Sequence, residues 1–182
     1  MKKALIILFL IVFCFGAASA SVFSRVSLSE EVAYQKYNRI WTSPVSYYYS
    51  VESVASNPTL ANDLDIMFTK NIGMTIGSRI GYQWSISDKN RFVSFPQNID
   101  ISLNSGFAYY FNDFRISLSA ILRPSFQTSR NSWISQLGGE LDVSYSFSNG
   151  IFLGLGYRYL YNYNMITSGA FISLGYQMGG RK

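Results

Sequence analysis

The chain has 182 residues, of which 48% are hydrophobic and 17% aromatic, while 14% are charged against roughly 25% in an ordinary soluble domain. The hydrophobic content excludes a disordered chain, and the shortage of charge argues against a surface that faces water all round. The formal charge of +5 is mild and dispersed, which argues against a nucleic-acid partner.

Taken in chain order, the first feature is an export leader over residues 1–20. Lys2 and Lys3 form a basic start, Ala4 to Phe15 an apolar run, and Ala18-Ser19-Ala20 a small-residue cleavage site. The run is shorter than the ~20 residues a spanning helix needs, so the mature chain is expected to begin at Ser21. Cys14 is the only cysteine and lies inside the leader. A mature chain without thiols has no disulfide, no thiolate nucleophile and no cysteine metal site. Residues 21–43 read as a periplasmic lead-in, with a short helix as the alternative: Ser29 would cap it and Glu30 and Glu31 would fill its first turn, with Pro44 ending it.

From residue 44 to 178 the apolar residues recur with period two, the signature of strands with one apolar face. Eight segments follow: Val45–Val54, Leu60–Thr69, Ile72–Ile86, Asn98–Phe111, Phe114–Leu122, Trp133–Phe147, Ile151–Tyr163 and Thr167–Met178. In Phe114–Leu122, for example, Phe114, Ile116, Leu118, Ala120 and Leu122 alternate with Arg115, Ser117 and Ser119. Lys70-Asn71, Asn112-Asp113 and Ser148-Asn149-Gly150 mark tight turns, whereas 87–97, 127–132 and 164–166 are more open. Alternating short and long connections between strands of about ten residues or more fit an eight-stranded antiparallel up-and-down transmembrane β-barrel. Residues 179–182 are left as a C-terminal tail.

The polar face is made of Ser, Gly, Asn and Gln with a few charges, and no lysine lies within a proposed strand. Such small, pairable groups suit a narrow lumen, so the polar face is expected to point inward. A lumen charge network of Asp63, Asp65, Arg79, Asp100, Arg115, Arg123, Glu140, Asp142 and Arg158 is expected to form cross-lumen ion pairs, because an unpaired buried charge is costly. Aromatic residues gather towards strand ends: Phe68, Phe111, Phe114, Phe147 and Tyr176 near the tight turns, and Trp84, Trp133, Tyr161 and Tyr163 near the open ones. Two such groups form interfacial girdles. The loop over 87–97 offers Lys89, Arg91, Phe92 and Phe95 as contact residues.

The leader, the eight alternating segments, the Asn/Asp/Gly turns and the charged inward face together resemble the small outer-membrane barrels of the OmpA, OmpX and OmpW kind. The resemblance spans about 44–178 and implies localisation in the outer membrane, with lipid and the assembly machinery as partners and a monomeric state. It departs from those barrels at the end, where Tyr176-Gln177-Met178 is followed by Gly179-Gly180-Arg181-Lys182. Enzymes among the small barrels of this membrane resemble one another in relying on histidine, and this chain has none. The expectation is therefore a non-enzymatic barrel without metal or cofactor, with a structural or surface-contact role through its outer loops. A narrow pore of OmpW type and a soluble periplasmic ligand-binding barrel are the alternatives.

Overall fold

The computed structural model describes residues 21–41, 47–88, 97–128, 131–163 and 165–179. Its elements are β1 (Val22–Trp41), β2 (Tyr47–Met67), β3 (Ile72–Asp88), β4 (Asn98–Phe111), β5 (Phe114–Gln127), β6 (Ser132–Ser146), β7 (Ile151–Asn162) and β8 (Met165–Met178). Each strand pairs antiparallel with the next, and β1 pairs with β8 from Ser24 opposite Met178 to Tyr37 opposite Met165, so the sheet closes. Closure removes the edge strands that an open sheet would expose.

The eight-stranded count holds, but the first two strands are assigned differently from the sequence reading. The segment read as a lead-in or a short helix is strand β1, so the barrel starts at Val22 and not at residue 44. Val26, Leu28, Val32 and Tyr34 form its outward row and Arg25, Ser27, Glu31, Ala33 and Gln35 its inward row. Ser24, Glu30 and Lys36 interrupt the outward row, which is what obscured its period. The two proposed strands Val45–Val54 and Leu60–Thr69 are parts of one strand, β2, that runs through Pro58. Proline has no N–H to donate to a ladder. The β2–β3 pairing accommodates it by passing from Ser56 opposite Trp84 to Thr59 opposite Gly81, with no pair at Asn57 or Pro58.

Alternation sets the two faces. On β4 and β5, Ile99, Ile101, Leu103, Phe107, Ile116, Leu118 and Leu122 are exposed, whereas Asp100, Ser102, Asn104, Arg115, Ser117 and Arg123 are buried. A soluble protein shows the reverse, and an exposed belt of large apolar side chains around a closed barrel suits hydrocarbon as solvent. The tight turns use residues that tolerate left-handed backbone: Asn112 has φ 52° between the paired Phe111 and Phe114, and Gly150 has φ 86°. At that same end of the lumen Phe23, Met67, Ala108 and Tyr110 pack together, the Phe23 and Tyr110 rings 5.9 Å apart.

Adjacent glycines on β6 differ sharply in their surroundings. A Cβ on Gly138 would lie 1.9 Å from the carbonyl oxygen of Tyr159, whereas on Gly139 the nearest atom would be 3.6 Å away. Gly138→Ala is therefore expected to destabilise the barrel by about 1–3 kcal/mol, and Gly139→Ala by less than about 0.5 kcal/mol. Equilibrium urea unfolding in lipid vesicles measures both, and equal losses would contradict the close approach of β6 and β7.

Candidate functional site

The inward rows of seven strands converge on a charged network inside the barrel. Nearest the tight turns, the Arg115 guanidinium donates from Nε and Nη2 to the two Asp65 oxygens at 2.7 and 2.9 Å, and from Nη1 to Asp142 at 3.0 Å. It also donates to Thr75 Oγ1 at 3.0 Å and Ser117 Oγ at 2.9 Å, while the Tyr110 hydroxyl donates to Asp65. This fork geometry is the one in which arginine binds carboxylate most strongly.

Further along, Glu140 on β6 is held by two arginines. Arg79 donates to it from both terminal nitrogens, from Nη2 at 2.6 Å, and Arg158 donates from Nε at 2.9 Å. Asp63 lies 3.9 Å from Arg79 and accepts from Asn104 Nδ2 at 3.1 Å. Arg158 Nη1 then reaches Glu31 on β1 at 2.6 Å, and Arg123 Nη1 lies 3.4 Å from the same Glu31 oxygen. Arg123 binds Asp100 through Nε at 3.0 Å and through Nη2, which also donates to Gln83 at 2.7 Å. Asn57 bridges Glu31 and Asp100 through its Nδ2, at 3.2 and 3.0 Å.

All nine lumen residues named from the sequence thus lie on the inward face and join one of two linked sets. The first is Asp65–Arg115–Asp142, and the second runs Asp63–Arg79–Glu140–Arg158–Glu31–Arg123–Asp100. Two inward charges escaped the sequence reading because β1 was read as a lead-in: Glu31, which joins the second set, and Arg25, which lies beside the first. The alternation of Arg25, Ser27, Glu31 and Gln35 against Val26, Leu28, Val32 and Tyr34 is the signal that locates them. Arg25 donates to Ser144 Oγ at 2.7 Å and stacks 3.9 Å over the Phe152 ring, a cation–π contact that compensates part of its burial. Asp63 and Asp65, and likewise Glu140 and Asp142, share a face, but each engages arginine.

Little space remains between these side chains. The cavity among Arg25, Asp63, Arg79, Arg115 and Asp142 measures about 10 Å³, the minimum for a single water. Glycine on the inward face serves this crowding: a Cβ on Gly77 would fall 1.9 Å from Asp63 Oδ1 and 2.5 Å from Asn104 Oδ1. Among the described residues no group of three or more His, Cys, Asp or Glu is placed to hold a metal ion.

The aromatic residues assigned to girdles all project outward and are exposed. Phe68, Phe111, Phe114, Phe147 and Tyr176 surround the tight-turn end, where Phe114 and Phe147 each pack edge-on against Tyr145 at 5.0 and 5.1 Å. Trp84, Trp133, Tyr161 and Tyr163 lie towards the opposite end, with Trp133 against Phe126 at 5.3 Å and Trp84 against Tyr82 at 6.0 Å. The loop candidates Lys89, Arg91, Phe92 and Phe95, the leader over 1–20 and the tail beyond Gly179 lie outside the described residues.

A closed eight-stranded antiparallel barrel with an apolar outer face and a charged, filled lumen has the architecture of the small outer-membrane barrels. Solved structures agree on the fold. Ail, the attachment invasion locus protein of Yersinia pestis, solved in complex with the heparin analogue sucrose octasulfate, superposes with a TM-score of 0.52 at 11% identity over 87% of this chain and 99% of that one. The outer membrane protein OprG of Pseudomonas aeruginosa gives 0.51 at 11% identity over 88% and 97%. The outer membrane protein AlkL, determined in lipid bilayers, gives 0.54 at 10% identity over 90% and 92%. Neither a protein-family model nor a curated protein matches the sequence.

Removing a shared carboxylate from the network leaves buried guanidinium groups underpaired. Glu140→Leu is expected to destabilise the folded barrel by about 3–5 kcal/mol, whereas Asp113→Asn, at an exposed turn, shifts stability by less than about 0.5 kcal/mol. Urea midpoints of the refolded variants measure the difference, and a Glu140→Leu barrel as stable as the parent would show that the network carries no stability.

Proposed function

We propose that this chain is a non-enzymatic, non-conducting outer-membrane barrel, exported by a cleaved leader, that acts as a structural element and as a surface for contact through the connections at its loop end. The observation that carries this reading is the filled lumen. Two linked sets of ion pairs, drawn from β1 to β7, cross the lumen, and at the level of Arg25, Asp63, Arg79, Arg115 and Asp142 the cavity between the side chains is about 10 Å³, too little for a hydrated ion or a solute to pass. Eight-stranded barrels are in general just wide enough for their own side chains.

The same pairing argues against catalysis. The carboxylates that lie two residues apart on one face are each engaged by arginine, and the sequence offers no histidine as a base. The belt of exposed Ile, Leu, Phe and Tyr side chains argues against the soluble barrel, because a water-facing surface would leave that area unburied. With the lumen closed, contact with other molecules falls to the ends of the barrel and to its outer wall.

Two measurements test this. In planar bilayers the refolded mature chain is expected to add no conductance to the lipid baseline while showing heat-dependent gel mobility; discrete current steps would replace the closed barrel with a pore. Mass spectrometry of the protein recovered from an outer-membrane fraction is expected to find Ser21 as the first residue. Recovery in the soluble periplasmic fraction with the leader attached would contradict both export and insertion.

A further inference from the structure

The outward row of β1 carries a carboxylate within its apolar stretch. Glu30 projects outward between Leu28, 66% exposed, and Val32, 52% exposed. Its cross-strand neighbours are Pro58 on β2 and Ile172 on β8. The polar border of this wall is six residues further on, where Lys36 stands opposite Glu52. Glu30 therefore lies inside the apolar band and not at its rim. The Ser56 hydroxyl donates to Oε1 of Glu30, and among the described residues no cation lies against the carboxylate. Acidic residues on the lipid face of a barrel cost stability, though less than basic ones, so an outward carboxylate here calls for a partner.

The shape beside it is concave. Leu28, Glu30, Pro58, Leu153, Ile172 and Leu174 line a hollow of about 340 Å³ on the outer wall. Pro58 forms part of it where the β2–β3 ladder is skipped. Ser29, Thr59 and Ser173 complete the lining, and Glu30 is its one charged group; a mainly apolar hollow of this volume is at the small end of the range for ligand sites. A second copy of the chain fits poorly, because a two-fold axis along the membrane normal pairs equivalent positions and would bring Glu30 towards Glu30.

We infer that this hollow is a lateral binding site for an amphiphile dissolved in the bilayer, with an apolar body and a protonated amine. The apolar body would fill the space among Leu28, Leu153, Ile172 and Leu174. The ammonium would donate to Glu30 Oε2, the oxygen that Ser56 leaves free, and supply the missing positive charge. This site is separate from the lumen and needs no opening through the wall; it rests on the reading of the outer face as lipid-facing.

Trp84 stands opposite Ser56 on the same face and serves as the reporter. In a Trp41→Phe/Trp133→Phe variant of the mature chain refolded in vesicles, quenching of Trp84 is followed with dodecylamine carrying a nitroxide on its chain and with the matching labelled dodecanol. The amine is expected to quench saturably at about ten-fold lower concentration than the alcohol, the gain of one charge-assisted hydrogen bond. Glu30→Gln, and Glu30→Leu as a second variant should the first fail to fold, are expected to bring the amine to the level of the alcohol. Equal quenching by both probes in the parent, amine quenching unchanged in the variants, or cross-linking of two copies through Glu30→Cys would overturn the inference. Brominated lipid separates the failures: quenching of Trp84 by it, with no preference for the amine, rejects this site and leaves the lipid-facing wall intact.

Discussion

A guanidinium buried in a narrow barrel must find its carboxylate on another strand, and in this molecule that requirement ties the wall together across the lumen. Arg115 on β5 grips Asp65 on β2 and Asp142 on β6, Arg79 on β3 grips Glu140 on β6, and Arg158 on β7 reaches Glu31 on β1. None of these pairs is local in sequence. Arg115–Asp142 needs only the β5–β6 pairing, and the others need strands that the curved sheet brings together across the lumen; all depend on register, because a slip of one residue would turn the charge outward into lipid. A buried ion pair is weak evidence for net stability, since desolvation offsets much of the attraction, yet breaking one is costly. A one-residue slip would both break such a pair and expose its charge to lipid, so the network adds a penalty to wrong registers.

In the proposed function the filled lumen matters directly: the side chains that fix the register also stand where a solute would pass, which leaves the outer wall and the two ends for contact. The wall is not uniform: Asn62, Ser78 and Ser105 dot its mainly apolar surface, and Glu30 and the hollow at Pro58 interrupt it. Glu30 and Pro58 lie on β1 and β2, which at 20 and 21 residues are the longest strands in the barrel, and the hollow extends across β8 to β7.

The sequence was most readable where alternation is strict. On β4 to β8 the period-two pattern identified strands, faces and the tight turns, because burial on one side and lipid on the other force the same choice at every second position; β8, however, begins at Met165, inside the connection read as open. The six inward charges read from these strands lie in the lumen, as do Asp63 and Asp65 on β2 and Arg79 on β3. The failures sit on β1 and β2. Ser24, Glu30 and Lys36 break the outward row of β1, and the adjacent acids after Ser29 mimic a helix start. Pro58 splits the pattern of β2, although the ladder simply skips it. Arg25 and Glu31 were missed for the same reason, and Glu31 is the acid that links Arg158 to Arg123. Which carboxylate pairs with which arginine was not readable at all, since it depends on the curvature that brings distant strands together.

The architecture depends on the charged face pointing inward and the apolar face outward into lipid. A nitroxide scan along residues 114–122 of β5 in bilayers probes these orientations, by comparing collision with oxygen, which dissolves in lipid, and with a water-soluble nickel chelate. High oxygen access is expected at Ile116, Leu118, Ala120 and Leu122, alternating with low access to both reagents at Arg115, Ser117, Ser119 and Ile121. Oxygen access at the odd-numbered positions, or chelate access at the even-numbered ones, would show the faces to be reversed and the barrel to stand in water.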